Sequence, residues 1–178
     1  MPARIERMRP MKRFVLVLLL AFAGEAFAGG DKGTELQWKP FVNGFAEAKK
    51  MKKKVMLDVY TDWCGWCKRL DKDVYGNAKV AEYLNDHYVV IKLNAESSKV
   101  ITYLDTNYTE RDFARYLGVR GYPTIIFFEN SGEPITPLSG YVAAEKFLPI
   151  IKFIGEDFYK TMDFEKFSQE YAKQEEKK

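Results

Sequence analysis

The sequence predicts an α/β domain, with a central mixed sheet flanked by helices and an extra C-terminal helix. Three observations carry that expectation. Val55–Tyr60, Tyr88–Leu93 and Thr124–Phe128 are compact apolar runs of strand length. The segments between them have helical composition and are closed by break signals such as Tyr75-Gly76-Asn77. The resulting order of helix, strand, helix, strand, helix, two strands and helix is that of a layered α/β domain, without repeat or low-complexity block.

Trp38–Lys53 reads as helical after Pro40, because Phe41, Phe45, Ala48 and Met51 recur near helical spacing. Five lysines between Lys49 and Lys54 then read as a solvated helix end and loop. After the first strand, Lys68–Val74 and Ala78–Asn85 have helical composition, and Tyr88–Leu93 is the second strand. Asn94–Tyr108 is irregular and reads as an inserted loop or hairpin. Thr109 caps a helix that runs to Leu117 and stops at Gly118. Thr124–Phe128 is strongly β-prone, and Asn130-Ser131-Gly132 turns the chain into a short strand near Ile135–Leu138. Ala143–Phe158 and Asp163–Lys173 are helical, with Gly155 as a bending point, and Gln174–Lys178 is a charged tail.

A chain of 178 residues suits one domain with decorations, and 47% apolar against 30% charged residues excludes an intrinsically disordered protein. Residues 1–28 read as an export signal. Arg4, Arg7, Arg9, Lys12 and Arg13 precede the apolar Phe14–Ala23, and Ala26-Phe27-Ala28 is a small-x-small cleavage site. The expected organisation is therefore a signal peptide at 1–28, a main domain at 29–160 and a helical extension with charged tail at 161–178, in a periplasmic or otherwise exported protein. The signal holds five basic and two acidic residues. Without it the 28 basic and 25 acidic residues become equal in number, so the basic excess leaves with the signal and no nucleic-acid partner is expected.

Both of the chain's cysteines lie in Cys64-Gly65-Trp66-Cys67, too close in sequence to close a long loop. In an exported chain such a pair points to sulfur chemistry. It stands where an apolar strand passes into a helix, whose free N–H groups and partial positive charge stabilise a thiolate. That environment lowers a cysteine from ~8.5 into the ~3.5–7.5 range. Cys64, at the exposed end, is expected to attack a disulfide; Cys67, one turn deeper, is expected to resolve it. A zinc half-site is disfavoured, since structural zinc wants four ligands and the chain offers two Cys and His87.

Asp58 interrupts its apolar strand six residues before Cys64, which places it beneath the pair or, alternatively, outward. Buried there, its pKa should rise and make it a base for Cys67. Lys92, within Val89–Leu93, can approach it from the next strand. Gly121-Tyr122-Pro123, leading into a buried strand, reads as a constrained proline turn with a cis bond before Pro123.

Trp63-Cys64-Gly65-Trp66-Cys67-Lys68 after Leu57-Asp58-Val59-Tyr60 resembles the thioredoxin superfamily, and Gly118–Phe128 resembles its second signature, the cis-proline loop and following strand. The likeness spans Trp38–Ile154 and is similar to exported thioredoxin-like domains. These include thioredoxin-7-type proteins and the C-terminal domain of the periplasmic disulfide-reducing electron carrier. The resemblance implies a thioredoxin-like fold and a thiol:disulfide oxidoreductase with Cys64 and Cys67 as its redox-active disulfide. It also implies Asp58 and Lys92 as the buried acid and its neighbouring lysine, with Pro123 and Tyr122 at the substrate groove. Trp66 stands where thioredoxin has proline and reads as a substrate contact or a packing residue, whereas Trp63 reads as core. The longer stretch between Lys92 and Pro123 reads as a partner-specific rim. Reduction of exported protein disulfides is the expected reaction, by a monomer recharged from a separate dithiol donor such as a membrane reductase. No cofactor or metal is required. The alternatives are an oxidase or isomerase using the same pair, or a non-enzymatic binding or holdase module.

Overall fold

The computed structural model describes residues 35–177, so the export signal read at residues 1–28 lies outside the described residues. A five-stranded sheet runs in the order β1, β3, β2, β6, β7. Its strands are β1 (Trp38–Lys39), β2 (Lys54–Tyr60), β3 (Tyr88–Asn94), β6 (Thr124–Phe128) and β7 (Pro134–Ser139). β2 is parallel to β3 and antiparallel to β6, and the β6–β7 pair is antiparallel. A separate hairpin pairs β4 (Val100–Tyr103) with β5 (Thr106–Thr109).

Alternation along the strands builds two cores. Met56, Val90, Ile125 and Phe127 face α2 (Gly65–Leu70), α3 (Ala78–His87) and α5 (Ala144–Gly155) through Leu70, Leu84, Phe147 and Ile151. Val55, Leu57, Ile91, Ile126 and Phe128 face α1 (Phe41–Met51), α4 (Glu110–Tyr116) and the hairpin through Phe41, Phe113 and Tyr103. A strand covered on both faces must be apolar at nearly every position, which is why β2 reads as a continuous run. Asp58 is the exception that the run had to absorb.

The first helix begins at Phe41, directly after Pro40, where the sequence places its start. Trp38 and Lys39 pair with Val90 and Ile91 as an edge strand. Pro40 is the cause, since the residue before a proline is pushed out of the α region while the proline itself suits a helix start. Gly44 in α1 lies against β3, and a Cβ built there would collide with Ile91 Cδ1. Ile91 is fully buried, so Gly44→Ala is expected to destabilise the fold by about 1–3 kcal/mol, read as a lower denaturant midpoint at unchanged slope.

The lysine run is not wholly solvated. Lys54 is buried at the start of β2, and its Nζ lies 2.8 Å from Asp157 Oδ1 and 3.7 Å from Glu129 Oε2. The same two carboxylates take Lys160, and Glu129 also accepts the Tyr159 hydroxyl. This network ties the 3-10 turn Phe158–Lys160 to the base of the sheet. Gly155 is the last residue of α5 and not a bend within it, and a Cβ there would collide with the Tyr83 hydroxyl and press on Tyr88. α6 (Phe164–Glu175) follows, capped by Asp163, with Phe167 packed 5.3 Å from the Phe153 ring.

The inserted segment is a hairpin, and its tip does not rim the cysteines. Tyr103 donates its hydroxyl to Gly132 O at 2.6 Å, in the β6–β7 turn. Because β6 is antiparallel to β2, that turn lies at the end of the sheet opposite Cys64. The apolar alternation of Ile101 and Tyr103 draws the hairpin over the core instead.

Candidate active site

The cysteine pair is built by the exit from β2. Thr61 O accepts the Cys64 N–H at 3.1 Å, turning the chain so that Cys64 is the N-cap of α2. Cys64 and Cys67 form a disulfide, with Cα atoms 5.3 Å apart. Cys64 Sγ accepts the Cys67 N–H at 3.1 Å, so the first sulfur sits at the positive end of the helix. On reduction, that position favours a thiolate on Cys64. A Cβ at Gly65 would meet no atom within 4 Å, leaving the approach over the first turn open.

The expected contrast in exposure is absent from the disulfide form. Cys64 is 4% and Cys67 3% exposed. The Cys64 sulfur lies over the helix start, where it accepts the Cys67 N–H, and is covered there as fully as Cys67.

Beneath the helix lies Asp58. It shares the sheet face of Met56, is 1% exposed, and stands in register with Lys92 of β3 and Ile125 of β6. Neither carboxyl oxygen has a hydrogen-bond partner, and Lys92 Nζ is 3.5 Å from Oδ2. Burial pushes the Asp58 carboxyl up to about 7, against the smaller downward pull of Lys92 and with a further push from Asp71. A carboxyl balanced near neutrality can take and return a proton.

Lys92 is shared. Its Nζ lies 2.5 Å from Asp71 Oδ1 and stands over the rings of Trp38, Tyr60 and Tyr75 at 4.8, 5.1 and 5.9 Å from their centroids. Asp71 and Tyr75 bound the π-helical segment that continues α2, and sequence reasoning passed over both. The signal was present, since Cys67, Asp71 and Tyr75 follow one another at steps of four, which is one edge of a helix.

The rim comes from the other expected residues. The Tyr122–Pro123 bond is cis. Thr124 pairs with Val59, so Pro123 lies at the same end of the sheet as the cysteines. Pro123 O accepts the Gly140 N–H at 2.8 Å, anchoring the loop to the end of β7. Trp63 is not core: it is 67% exposed and meets Tyr122 edge-on at 6.0 Å. Trp66 is 54% exposed and leans on Tyr141 at 5.5 Å, with the Arg69 guanidinium over both rings. An alternation rule could not place Trp63, because it lies in the turn after the strand. Asp58, Lys92, Cys64 and Cys67 are thus gathered at one end of β2, with Tyr122 and Pro123 at the same end. His87 stands apart, stacked on Tyr83 at 4.1 Å. Among the described residues no three His, Cys, Asp or Glu side chains converge as a metal site.

Comparison with known proteins agrees with this geometry. Residues 41–155 match the family model of the thioredoxin-like domain. Rabbit (Oryctolagus cuniculus) protein disulfide-isomerase is 37% identical over 129 residues, 71% of this chain and 22% of that protein. The thiol:disulfide interchange protein DsbD of Citrobacter koseri is 31% identical over 153 residues, 76% of this chain and 25% of that protein. The chain therefore spans about a quarter or less of these two relatives' length. Among solved structures, a thioredoxin-fold protein from Helicobacter pylori superposes with a TM-score of 0.61 at 23% identity, over 67% of this chain and 80% of that one. A thioredoxin from Thermus thermophilus gives 0.55 at 22%, over 67% and 87%. With the family model covering most of the described residues and the cysteine disulfide, buried carboxyl and cis-proline gathered at one end of the sheet, the chain belongs to the thioredoxin-like domain family.

Proposed function

We propose that this domain is a thiol:disulfide oxidoreductase that reduces disulfides of exported proteins by dithiol–disulfide exchange. The observation that carries the reading is the Cys64–Cys67 disulfide at a helix N-terminus, joined by strand β2 to a buried carboxyl near neutrality. In the reduced domain, the Cys64 thiolate attacks one sulfur of a substrate disulfide. The new S–S bond holds the substrate, and the other substrate sulfur leaves with the electron pair and is protonated. Cys67 then gives its proton to the Asp58 carboxylate, attacks Cys64 Sγ, and releases the second substrate sulfur as a thiolate. Two electrons have passed to the substrate, and the Cys64–Cys67 disulfide remains. A separate dithiol donor, a membrane reductase in the exported compartment, recharges it by the same exchange in reverse.

Trp63, Trp66, Tyr122 and Pro123 supply the apolar surface on which the substrate chain lies, and the signal read at residues 1–28 carries the domain to that compartment. Cys64→Ser is expected to lower reduction of a protein disulfide at least about a thousandfold, because the nucleophile is gone. Unchanged turnover would refute Cys64 as the nucleophile, whereas partner binding that persists in Cys64→Ser and Cys67→Ser with no turnover in the wild type would leave only a binding module.

The rabbit isomerase relative favours a second reading, in which the same pair donates or shuffles disulfides. The reduction potential against glutathione separates the two. A potential well below ~−120 mV is expected of the reductase, and one near that of strong oxidants refutes it.

A further inference from the structure

Tyr75 is a buried titratable group that the exchange reaction, as described, does not use. It ends the helical segment that begins at the cysteines, and its ring lies edge-on to Trp38 at 5.2 Å and to Phe147 at 6.2 Å. Phenylalanine would fill that place equally well. The tyrosine adds one hydroxyl, which is buried without a hydrogen-bond partner. Leaving such a group dry costs free energy that phenylalanine avoids.

Both carboxyl oxygens of Asp58 share this condition. The two side chains also share a neighbour: Lys92 Nζ is 3.5 Å from Asp58 Oδ2 and 5.9 Å from the Tyr75 ring centre. Lys92 is held closer to Asp71, at 2.5 Å, so it compensates a charge on Asp58 only in part. The charged groups facing Asp58 are Lys92 from β3 and Asp71 from the helical segment, and those facing Tyr75 are Asp58, Asp71 and Lys92. A carboxylate formed in this place lacks a neutral donor, and the phenol lacks an acceptor.

Building on the exchange reaction proposed above, we infer that Tyr75 is a positioning residue for Asp58, donating its O–H to the carboxylate across one buried water molecule. Tyr75 keeps its proton throughout. When Cys67 forms its bond to Cys64 Sγ, the Cys67 proton passes to Asp58, and the electron pair of the broken mixed disulfide leaves on the substrate sulfur. The tyrosine holds the carboxylate ionised and aimed until that moment.

Tyr75→Phe keeps the ring and removes only the donor. In the oxidised protein, with no free thiol to titrate, the Asp58 carboxyl followed by carbon-13 NMR is expected to rise by about one pH unit in this variant. The acidic limb of substrate release from the Cys64 mixed disulfide should move up with it. In an Asp58→Asn background the same change should alter neither rate nor profile. An unmoved Asp58 midpoint, or an equal slowing at every pH, overturns the inference and leaves Tyr75 as packing. A wild-type domain that turns over no disulfide while its Asp58 midpoint still moves would overturn the proposed reaction and leave the Tyr75–Asp58 coupling standing.

Discussion

A Cys67→Ser domain, reduced and mixed with disulfide-containing exported proteins, is expected to accumulate covalent complexes through Cys64. The reason lies in which step each sulfur performs. Capture needs only Cys64, whose place at the N-cap of α2 survives the substitution. Release needs a second nucleophile beneath it, and serine is unreactive towards a disulfide under the same conditions. Escape then depends on an outside thiol, and the complexes are expected to outlive those of the wild type at least about a thousandfold. Non-reducing gels and mass spectrometry of the trapped peptide read the result and name the partners at once. Complexes that accumulate in the Cys64→Ser domain instead, or no complexes at all, would sink the order of attack. Since the two sulfurs are almost equally buried in the disulfide, this experiment and not the static exposure decides which one leads.

Asp58→Asn is expected to make the domain more stable and less able to resolve. Asp58 rises from 3.8 to about 7 on folding, chiefly through burial. Below 3.8 both folded and unfolded chains hold the proton, and there is no penalty. Between the two values the folded state binds more protons than the unfolded one, so stability falls as pH rises. Above about 7 the full penalty applies, roughly 4 kcal/mol for a shift of about three units. The asparagine variant lacks that slope. Its advantage over wild type, measured by denaturant unfolding of the oxidised forms, should grow from near zero around pH 4 to several kcal/mol by about pH 8. Release of substrate from the mixed disulfide should slow by about a hundredfold near neutrality, the usual loss when a proton acceptor is removed. A stability difference that is flat with pH would show that the buried carboxyl is not what the fold tolerates for chemistry.

The strands and the cysteine motif were legible because each answers to a local rule. β2, β3 and β6 are covered on both faces and must be apolar along their length, and the turn before the helix needs the pair at its tip. Asp58 was legible for the opposite reason, as a charge in a run that excludes charge. What escaped depends on packing across the sequence. Lys54 looks like one more solvated lysine until Asp157, far along the chain, closes over it. Trp63 reads as core by composition, yet the turn that carries it projects it outward against Tyr122. Asp71 and Tyr75 belong to the site because the helix continues past Leu70 and carries both on the edge of Cys67, a spacing that the break read at Tyr75-Gly76-Asn77 obscured. The direction of electron flow is written in neither pattern nor packing, because it rests on a difference between two redox states.

The outer strands of the sheet bear on the company this domain keeps. One margin is a two-residue strand, and the other carries Pro134 and Pro137, which have no N–H to offer. For the exchange of disulfides with other protein chains proposed here, an open sheet edge would offer those chains a backbone to pair with. With one border too brief and the other interrupted by two prolines, the proposed exchange would hold a substrate by its sulfur and not by an added strand.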